Sequence, residues 1–218
     1  MNVFVIAIPI FDKVDLMDVA APTEIFSTLN GSWEDTEVRV YLVAEKMEQI
    51  ATRDGTILCP HKTFADLPEA DLLWTPGFDP ASLKRLMYSG EGTAFLSYLR
   101  KISRSAKWVT SVCEGALLLA RAGLLDGYFA TTHWAFLNCL REFPHIKVVE
   151  DGHPRYVIDR NRVTGAGISS GLDEALAIVE LIAGTAVAKN TQLFIQYFPR
   201  PPVWGPIPPA PDCSVKRP

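Results

Sequence analysis

Cysteine is scarce in this sequence, with four residues among 218 and no C-x-x-C spacing between any of them. A zinc knuckle or a redox-active dithiol needs paired cysteines a few residues apart, so the sequence predicts neither. Histidine, aspartate and cysteine also form no cluster with metal-ligand spacing, and we expect no metal site. Because no secretion signal is visible, the thiols are expected to stay reduced.

Basic residues are not in excess either, since 21 lysines and arginines stand against 25 acidic residues, for a formal net charge of −4. The one local group of positive residues has the spacing of a solvent-facing helix side: Arg100, Lys101, Arg104 and Lys107. A protein without a basic field or a basic groove has little attraction for phosphate backbones. The sequence therefore predicts no nucleic-acid partner.

Long apolar runs are missing as well, and no segment approaches the ~20 residues of a membrane span. The apolar start Val3–Ile8 has no basic stretch before it and no small-residue cleavage site after it. It is therefore interpreted as a buried strand and not as a signal peptide. We expect a cytoplasmic protein without membrane contact.

The chain does contain two alternating kinds of segment. Short apolar runs rich in β-branched residues predict strands at Val3–Ile8, Val38–Ala44, Asp71–Thr75 and Trp108–Val112. Helical periodicity predicts helices at Thr23–Leu29, Gly92–Ser103, Gly115–Ala122, Trp134–Glu142 and Leu172–Ala183. Strands that are apolar on both faces and separated by helices are typical of an α/β sandwich with a mostly parallel central sheet. The two short runs of Tyr156–Thr164 predict a hairpin at the sheet edge.

The chain end differs in composition, because residues 199–209 are dense in proline. Proline at this density excludes helix and central strand and predicts an extended segment. We expect one domain over residues 1–198 and a proline-rich tail over 199–218. The tail is interpreted as packing on its own domain or on a second subunit, with Trp204 favouring docking; a ligand for a proline-recognition module is the alternative.

The most informative segment runs from Trp108 to Ala120, where an apolar strand leads directly into an alanine- and leucine-rich helix with Cys113 at the junction. Small residues stand two positions before and two after it, at Ser111 and Gly115, as a nucleophile elbow requires. The start of the helix is expected to lower the pKa of the Cys113 thiol, and the N–H of Glu114 is a candidate oxyanion donor.

The other three cysteines have weaker claims to a function. Cys59 lies in a short strand-like run, Cys139 on the apolar face of a helix, and Cys213 in the tail. We interpret all three as small apolar side chains, which is the commonest role of a free cysteine.

The sequence resembles the ThiJ/PfpI superfamily over about residues 3 to 187. The resemblance rests on ordered motifs at Phe11–Pro22, Leu73–Gly77, Val112–Ala116, Ala122–Tyr128, Ala130–Trp134 and Thr164–Gly171. It implies a flavodoxin-like fold with a reactive cysteine. Within the superfamily the chain is most similar to the isonitrile hydratases, which implies Cys113 as nucleophile and Asp18 as the acid that works with it. A capping role for Asp18 at a helix start is the structural alternative, and the two roles are compatible.

The chain departs from the hydratases at two positions. Glu114 follows the cysteine where the hydratases have threonine, and it is interpreted either as a general base for water or as a charge that raises the thiol pKa. Phe78 follows Gly77 where much of the family has a second glycine; this loop is implied to give the other oxyanion N–H.

Two further residues are implied to line the site. His133 is expected near Cys113, either as a base or as a structural residue that hydrogen-bonds backbone. Ser170, in the motif that opens the last predicted helix, caps that helix and belongs to the pocket rim. The nucleotide-binding glycine spacing is absent from this motif, and we expect no nucleotide or other cofactor.

The residues and the family resemblance are compatible with three functions. The first is an isonitrile hydratase-like enzyme that acts on a small-molecule substrate, and the second is a thiol-based stress sensor or glyoxal-detoxifying protein. The third is the regulatory domain found fused to helix-turn-helix modules, which is disfavoured because the chain ends at Pro218. Family members are usually dimers, which implies a homodimer.

Overall fold

The computed structural model describes residues 2–203 and 205–216. The strands of the described residues are β1 Asn2–Pro9, β2 Thr36–Ala44, β3 Ile50–Ala51, β4 Ile57–Leu58, β5 Lys62–Thr63, β6 Leu72–Thr75, β7 Trp108–Ser111, β8 Phe129–Ala130, β9 Lys147–Val148, β10 Tyr156–Asp159 and β11 Arg162–Gly165. Seven of them form one sheet in the order β10-β11-β7-β6-β1-β2-β5. Every neighbouring pair in this sheet is parallel except β10 and β11, which are antiparallel.

Helices cover both faces of this sheet. Those of the described residues are α1 Leu16–Ser27, α2 Pro80–Tyr88, α3 Thr93–Ile102, α4 Gly115–Arg121, α5 Leu137–Leu140, α6 Ser170–Ala183 and α7 Thr185–Phe194. Helix α6 packs against both α1 and α7, and helices α2 to α5 form a second contacting group. The architecture is the predicted α/β sandwich, and each predicted strand and the hairpin at 156–164 are confirmed.

The central strands are apolar on both faces because both faces are covered. All residues of β6 are buried, and Trp74 in its middle is fully enclosed, with its ring edge-on to Phe26 of α1 at 5.8 Å between centroids. Parallel strands end at the same edge of a sheet, so the loops after β1, β6, β7 and β11 meet there. This edge is where the sequence placed its candidate site.

Helix α1 begins at Leu16, seven residues before the predicted start at Thr23, and it continues through Pro22. A proline inside a helix has no N–H for the carbonyl four residues earlier, which here belongs to Asp18. That carbonyl accepts a hydrogen bond from Trp74 Nε1 at 2.9 Å instead. The indole removes the cost of an unsatisfied carbonyl and joins α1 to the sheet.

Two helices were not predicted. The start of α2 has ordinary signals, because Asp79 Oδ1 accepts from the N–H groups of Ala81 and Ser82 and proline occupies the first helical position. Helix α7 follows Gly184, whose φ of 88° breaks the chain direction after α6. Its apolar side chains Leu193 and Phe194 are exposed, so α7 has little of the buried stripe that sequence periodicity detects.

The expectation that Cys139 and Cys213 are separate reduced thiols was wrong, since they form a disulfide between α5 and the tail. The two positions are 74 residues apart, and their spacing gave no indication of pairing. Cys59 was also misjudged, because its side chain is exposed and not buried.

The described part of the tail is extended and packs on its own domain. Besides the disulfide, Asn138 Nδ2 donates to the carbonyls of Ala210 and Pro211 at 3.0 and 2.9 Å, and Val215 is 1% exposed. Trp204 lies outside the described residues, and the domain boundary at 198/199 stays a prediction. No helix in residues 2–203 or 205–216 has both the length and the apolarity to cross a membrane.

Gly115 gives a test of how closely α4 approaches the sheet. A Cβ at this position would overlap the carbonyl oxygen of Thr75 and lie 2.8 Å from that of Pro76. We expect Gly115→Ala to lower the free energy of unfolding by about 1–3 kcal/mol, measured by urea denaturation. Gly90→Ala is the control, because its Cβ would meet no atom within 4 Å. Equal effects of the two substitutions would contradict the close approach.

Candidate active site

Cys113 stands at the turn between β7 and α4 with a φ of 55°. Its N–H donates to the carbonyl of Ala166 at 2.8 Å, and its carbonyl accepts from Thr132 Oγ1 at 2.7 Å. A non-glycine residue with positive φ is strained and persists only where its surroundings hold it. This is the geometry of a nucleophile elbow, as the sequence predicted.

Asp18 lies in the first turn of α1, fully buried, and its carboxyl points to the loop after β6. Its Oδ2 accepts a hydrogen bond from the Gly77 N–H at 2.8 Å, while Oδ1 has no hydrogen-bond partner. Asp15, not Asp18, occupies the cap position of the helix. The carboxyl of Asp18 is therefore free of a capping role and available to the site.

Gly77 is the point where the predicted site residues converge. A Cβ built on it would overlap Glu114 Oε2 and lie 2.9 Å from both Asp18 Oδ2 and the Cβ of Cys113. Any side chain at position 77 would therefore displace one of these three groups. The sequence identified Gly77, Asp18, Cys113 and Glu114 separately, and the structure brings them into contact.

A second carboxyl extends this cluster. Asp15 is 2% exposed, and it forms an ion pair with Arg53 at 2.9 Å between Oδ1 and Nη1. One carboxylate oxygen each of Asp15 and Asp18 lies within 4.8 Å of the Cys113 sulfur and of the other. Neither Asp15 nor Arg53 was predicted as a site residue. Asp15 lies within the motif Phe11–Pro22, whereas Arg53 follows a two-residue strand and belongs to no motif of the sequence.

Burial and mutual repulsion hold these acids in their protonated forms. The pKa of Asp18 is raised well above its usual value by burial and by the nearby Asp15 and Glu114 carboxyls, against the Gly77 hydrogen bond that lowers it. Burial raises the pKa of Glu114 to about 7, although a hydrogen bond with Cys113 acts in the opposite direction. The protonated form of Asp18 is thus favoured, and Glu114 is near its midpoint at pH 7.

The expectation of a lowered thiol pKa at Cys113 was wrong in direction. Burial raises it well above the usual value, the charges of Asp18 and Glu114 add to this, and the Ile168 N–H lowers it. The argument for a lowered pKa counted the start of α4 and not the burial of the thiol, whereas the alternative given for Glu114, a charge that raises the thiol pKa, has the right direction. A thiolate therefore forms here only while the neighbouring acids stay neutral.

The predicted oxyanion donors are placed differently from expectation. The Phe78 ring is 1% exposed and packs edge-on to Phe95 at 5.8 Å, and the residue forms a β-bridge with Val14. The N–H of Glu114 interacts with the carboxyl of its own side chain. Oxyanion roles for these two N–H groups stay predictions.

Two cavities flank Cys113, and Met17 and Ile168 line both. The α1 cavity has a volume of about 760 Å³ and is mostly apolar, with the Asp15–Arg53 pair at its wall. The tail cavity has a volume of about 490 Å³ and is lined by Trp134, Leu137 and Ile207 among others. Cys113, at 1% exposed, lines neither cavity itself.

His133 and Ser170 occupy different surroundings. His133 lines the tail cavity, and its Nδ1 accepts from the Ala135 N–H at 3.2 Å, while burial lowers its pKa. The expectation that Ser170 caps α6 was wrong, because Ser169 occupies the cap position and Ser170 is fully buried at the first position of the helix, beside Gly165 and the buried Glu174. Thr132, which donates a hydrogen bond to the Cys113 carbonyl, was not predicted as a site residue, although it lies in the motif Ala130–Trp134 next to His133.

The cluster of Asp15, Asp18 and Cys113 has ligand atoms close enough to share a cation. The Arg53 guanidinium, already paired with Asp15, opposes a second positive charge there. The absence of a metal site stays a prediction.

Comparison with known proteins decides the family. The model of the DJ-1/PfpI family matches residues 5–181. The chain belongs to this family. Isonitrile hydratase of Pseudomonas putida is a relative 35% identical over 193 residues, which is 88% of this chain and 78% of the relative. The crystal structure of a ThiJ/PfpI family protein from Pseudomonas syringae superposes with a TM-score of 0.82 at 32% identity, covering 93% of this chain and 78% of that one.

Transcriptional regulators are also among the proteins to which this chain is similar. The HTH-type transcriptional regulator CdhR of Pseudomonas aeruginosa is 32% identical over 124 residues, covering 56% of this chain but 34% of the regulator. Membership of the DJ-1/PfpI family therefore confirms the flavodoxin-like fold and the resemblance to the ThiJ/PfpI superfamily. The specific activity has to be inferred from the residues of the site.

The charge of Glu114 is expected to control the reactivity of Cys113. Above its pKa of about 7, the Glu114 carboxylate opposes a second negative charge on the sulfur. Glu114→Gln removes that charge, so the midpoint of Cys113 alkylation by iodoacetamide should move to lower pH. The measurement is site-resolved mass spectrometry between pH 5 and 10. Glu142→Gln, at an exposed glutamate, is the control, and an unchanged midpoint in Glu114→Gln would count against the electrostatic coupling.

Proposed function

We propose that the protein is a cysteine-dependent enzyme of isonitrile hydratase type, which converts an isonitrile to an N-substituted formamide. The observation that carries the proposal is the buried pair of Asp18 and Cys113, with an acid held neutral beside a thiol at an elbow. The relationship to the Pseudomonas putida hydratase supports the same reading.

The reaction needs a nucleophile and a proton at one carbon atom. The Cys113 thiol first gives its proton to the ionised carboxylate of Glu114, with which it is hydrogen-bonded. The sulfur then attacks the terminal carbon of R–N≡C, and that carbon takes a proton from Asp18, whose Oδ1 has no hydrogen-bond partner. The product of this step is a thioimidate, R–N=CH–S–Cys113. Because Asp18 enters neutral and leaves as a carboxylate, the single negative charge of the site moves from sulfur to oxygen and is not doubled.

Water completes the reaction. The thioimidate nitrogen takes the proton held by Glu114, and Glu114, with a pKa of about 7, then accepts a proton from the water that adds to the carbon. Asp18 regains its proton from the hydroxyl of this adduct as the C=O bond forms and the carbon–sulfur bond breaks, and the formamide R–NH–CHO leaves. Glu114 returns its proton to the Cys113 sulfur, so water is the sole co-reactant.

The substrate is proposed to be small and apolar. The two cavities beside Cys113 share the apolar side chains Met17 and Ile168, and an isonitrile offers little hydrogen bonding beyond its terminal carbon. The formal charge of −4 supports the further proposal that this chain does not bind nucleic acid, although regulators occur among its relatives.

A homodimer is also proposed, as family resemblance implies. Leu193 and Phe194 of α7 are 66% and 75% exposed, and large apolar side chains of this kind favour a protein contact. We expect sedimentation equilibrium to give twice the 24.1 kDa chain mass, and a monomer to result from Phe194→Asp with the thermal midpoint unchanged. A wild-type monomer would refute the homodimer proposal.

The proposed cytoplasmic location is opposed by the Cys139–Cys213 disulfide, since reducing compartments rarely keep such bonds.

The activity is tested with cyclohexyl isonitrile, by following formamide production. We expect turnover by the wild-type protein, none by Cys113→Ala, and a loss of at least about 100-fold in kcat for Asp18→Asn, because the amide cannot give up a proton. The matched controls are Cys59→Ala and Asp126→Asn, which change an exposed thiol and an exposed carboxyl and should keep full turnover.

One outcome would contradict the hydratase proposal. If the wild-type protein produces no formamide while peroxide oxidises Cys113 to a stable sulfinate, the hydratase proposal fails and the thiol-sensor alternative is supported.

A further inference from the structure

The part of the tail that follows Trp204 forms a short strap, residues 205–213, across α5. Its far end is fixed by the Cys139–Cys213 disulfide and by the bonds from Asn138 to the carbonyls of Ala210 and Pro211. Val215, just beyond, is buried. One side of α5 therefore holds a segment that is 70 or more residues away in the chain.

The near end of the strap reaches a cavity. Ile207 lines the tail cavity together with His133, Trp134 and Leu137. Leu137, Asn138 and Cys139 are consecutive in α5, so the helix that forms one wall also anchors the segment that supplies the facing side chain. Pro206 and Pro208 flank Ile207 and restrict its backbone, which limits how far the side chain can move.

The tail cavity borders the nucleophile through three residues. Thr132 and Ile168 line it, and they contact the carbonyl and the sulfur of Cys113 respectively. Ala166, also on its wall, accepts the Cys113 N–H. The substituent of an isonitrile is carried by the nitrogen next to the carbon that reacts with Cys113, so it can extend into this cavity.

We propose that the strap is a wall of the substrate pocket and that Ile207 is a specificity-determining residue, which limits the size of the group bound beside Cys113. The proposal rests on the proposed function for the nature of that group, an apolar isonitrile substituent. The disulfide is the device that holds the wall in place.

Reduction of the disulfide should enlarge the pocket. Dithiothreitol breaks the Cys139–Cys213 bond by giving two electrons and two protons, so two thiols form while the reagent closes to its cyclic disulfide. The strap then keeps its bonds to Asn138 but loses its covalent anchor. Cys213→Ser removes the anchor permanently and without a reductant.

The test compares isonitriles with ethyl, cyclohexyl and adamantyl substituents. Ile207→Ala should raise the kcat/KM ratio of adamantyl to ethyl substrate by about tenfold, and Ile207→Trp should lower it by at least as much, while ethyl isonitrile reacts normally. Cys213→Ser should change the ratio in the same direction as Ile207→Ala. The control is Val203→Ala, in the same tail but 79% exposed and away from the cavity.

A second readout does not depend on hydratase activity. The rate of Cys113 alkylation by iodoacetamide and by a bulky N-cyclohexyl maleimide is followed by peptide mass spectrometry, which separates Cys113 from Cys59. Ile207→Ala, Cys213→Ser and dithiothreitol should each favour the bulky reagent. If selectivity changes while no isonitrile is converted, the proposed function fails and the pocket wall stands. If neither ratio responds to Ile207 substitutions that keep the wild-type thermal midpoint, the strap proposal is wrong.

Discussion

The carboxyls of Asp15, Asp18 and Glu114 and the thiol of Cys113 are buried close together at the sheet edge, and they cannot all be ionised. Among the described residues, the positive charge at this cluster comes from Arg53, which is paired with Asp15. Desolvation and mutual repulsion therefore favour the protonated forms of Asp18 and of the Cys113 thiol, and they place Glu114 near its midpoint at pH 7. The chemistry proposed for the site is a consequence of this constraint, because each step moves one proton and leaves the total charge as it was.

The main chain around the cluster is arranged to keep these groups together without adding charge. A neutral donor, the Gly77 N–H, holds Asp18, and the Ala166 carbonyl and the Thr132 hydroxyl hold the strained turn at Cys113. A lysine or a second arginine in these positions would lower the pKa values and ionise the acids. Neutral hydrogen bonds fix the geometry while they leave the protonation states to burial.

Much of the fold could be predicted because its signals are local. Buried parallel strands are continuous apolar runs, and the turn at Cys113 requires small residues at fixed positions, so both are visible in the sequence. What could not be predicted depends on long-range contacts. The ion pair of Arg53 with Asp15 and the disulfide of Cys139 with Cys213 join segments 38 and 74 residues apart, and the raised thiol pKa results first from burial and then from the charges of Asp18 and Glu114.

Pro22 is commonly regarded as a defect in a helix, but here the carbonyl that it leaves free is the one that Trp74 binds. The backbone of Asp18, the proposed acid, is thereby attached to the sheet and not to the outer surface of its own helix. Met17 and Ala20, on that surface, can vary with the shape of a ligand while Asp18 stays at its distance from the thiol. Ligand preference can therefore evolve separately from the spacing of Asp18 and Cys113, and Met17 and Ala20 are natural positions to diversify in a library.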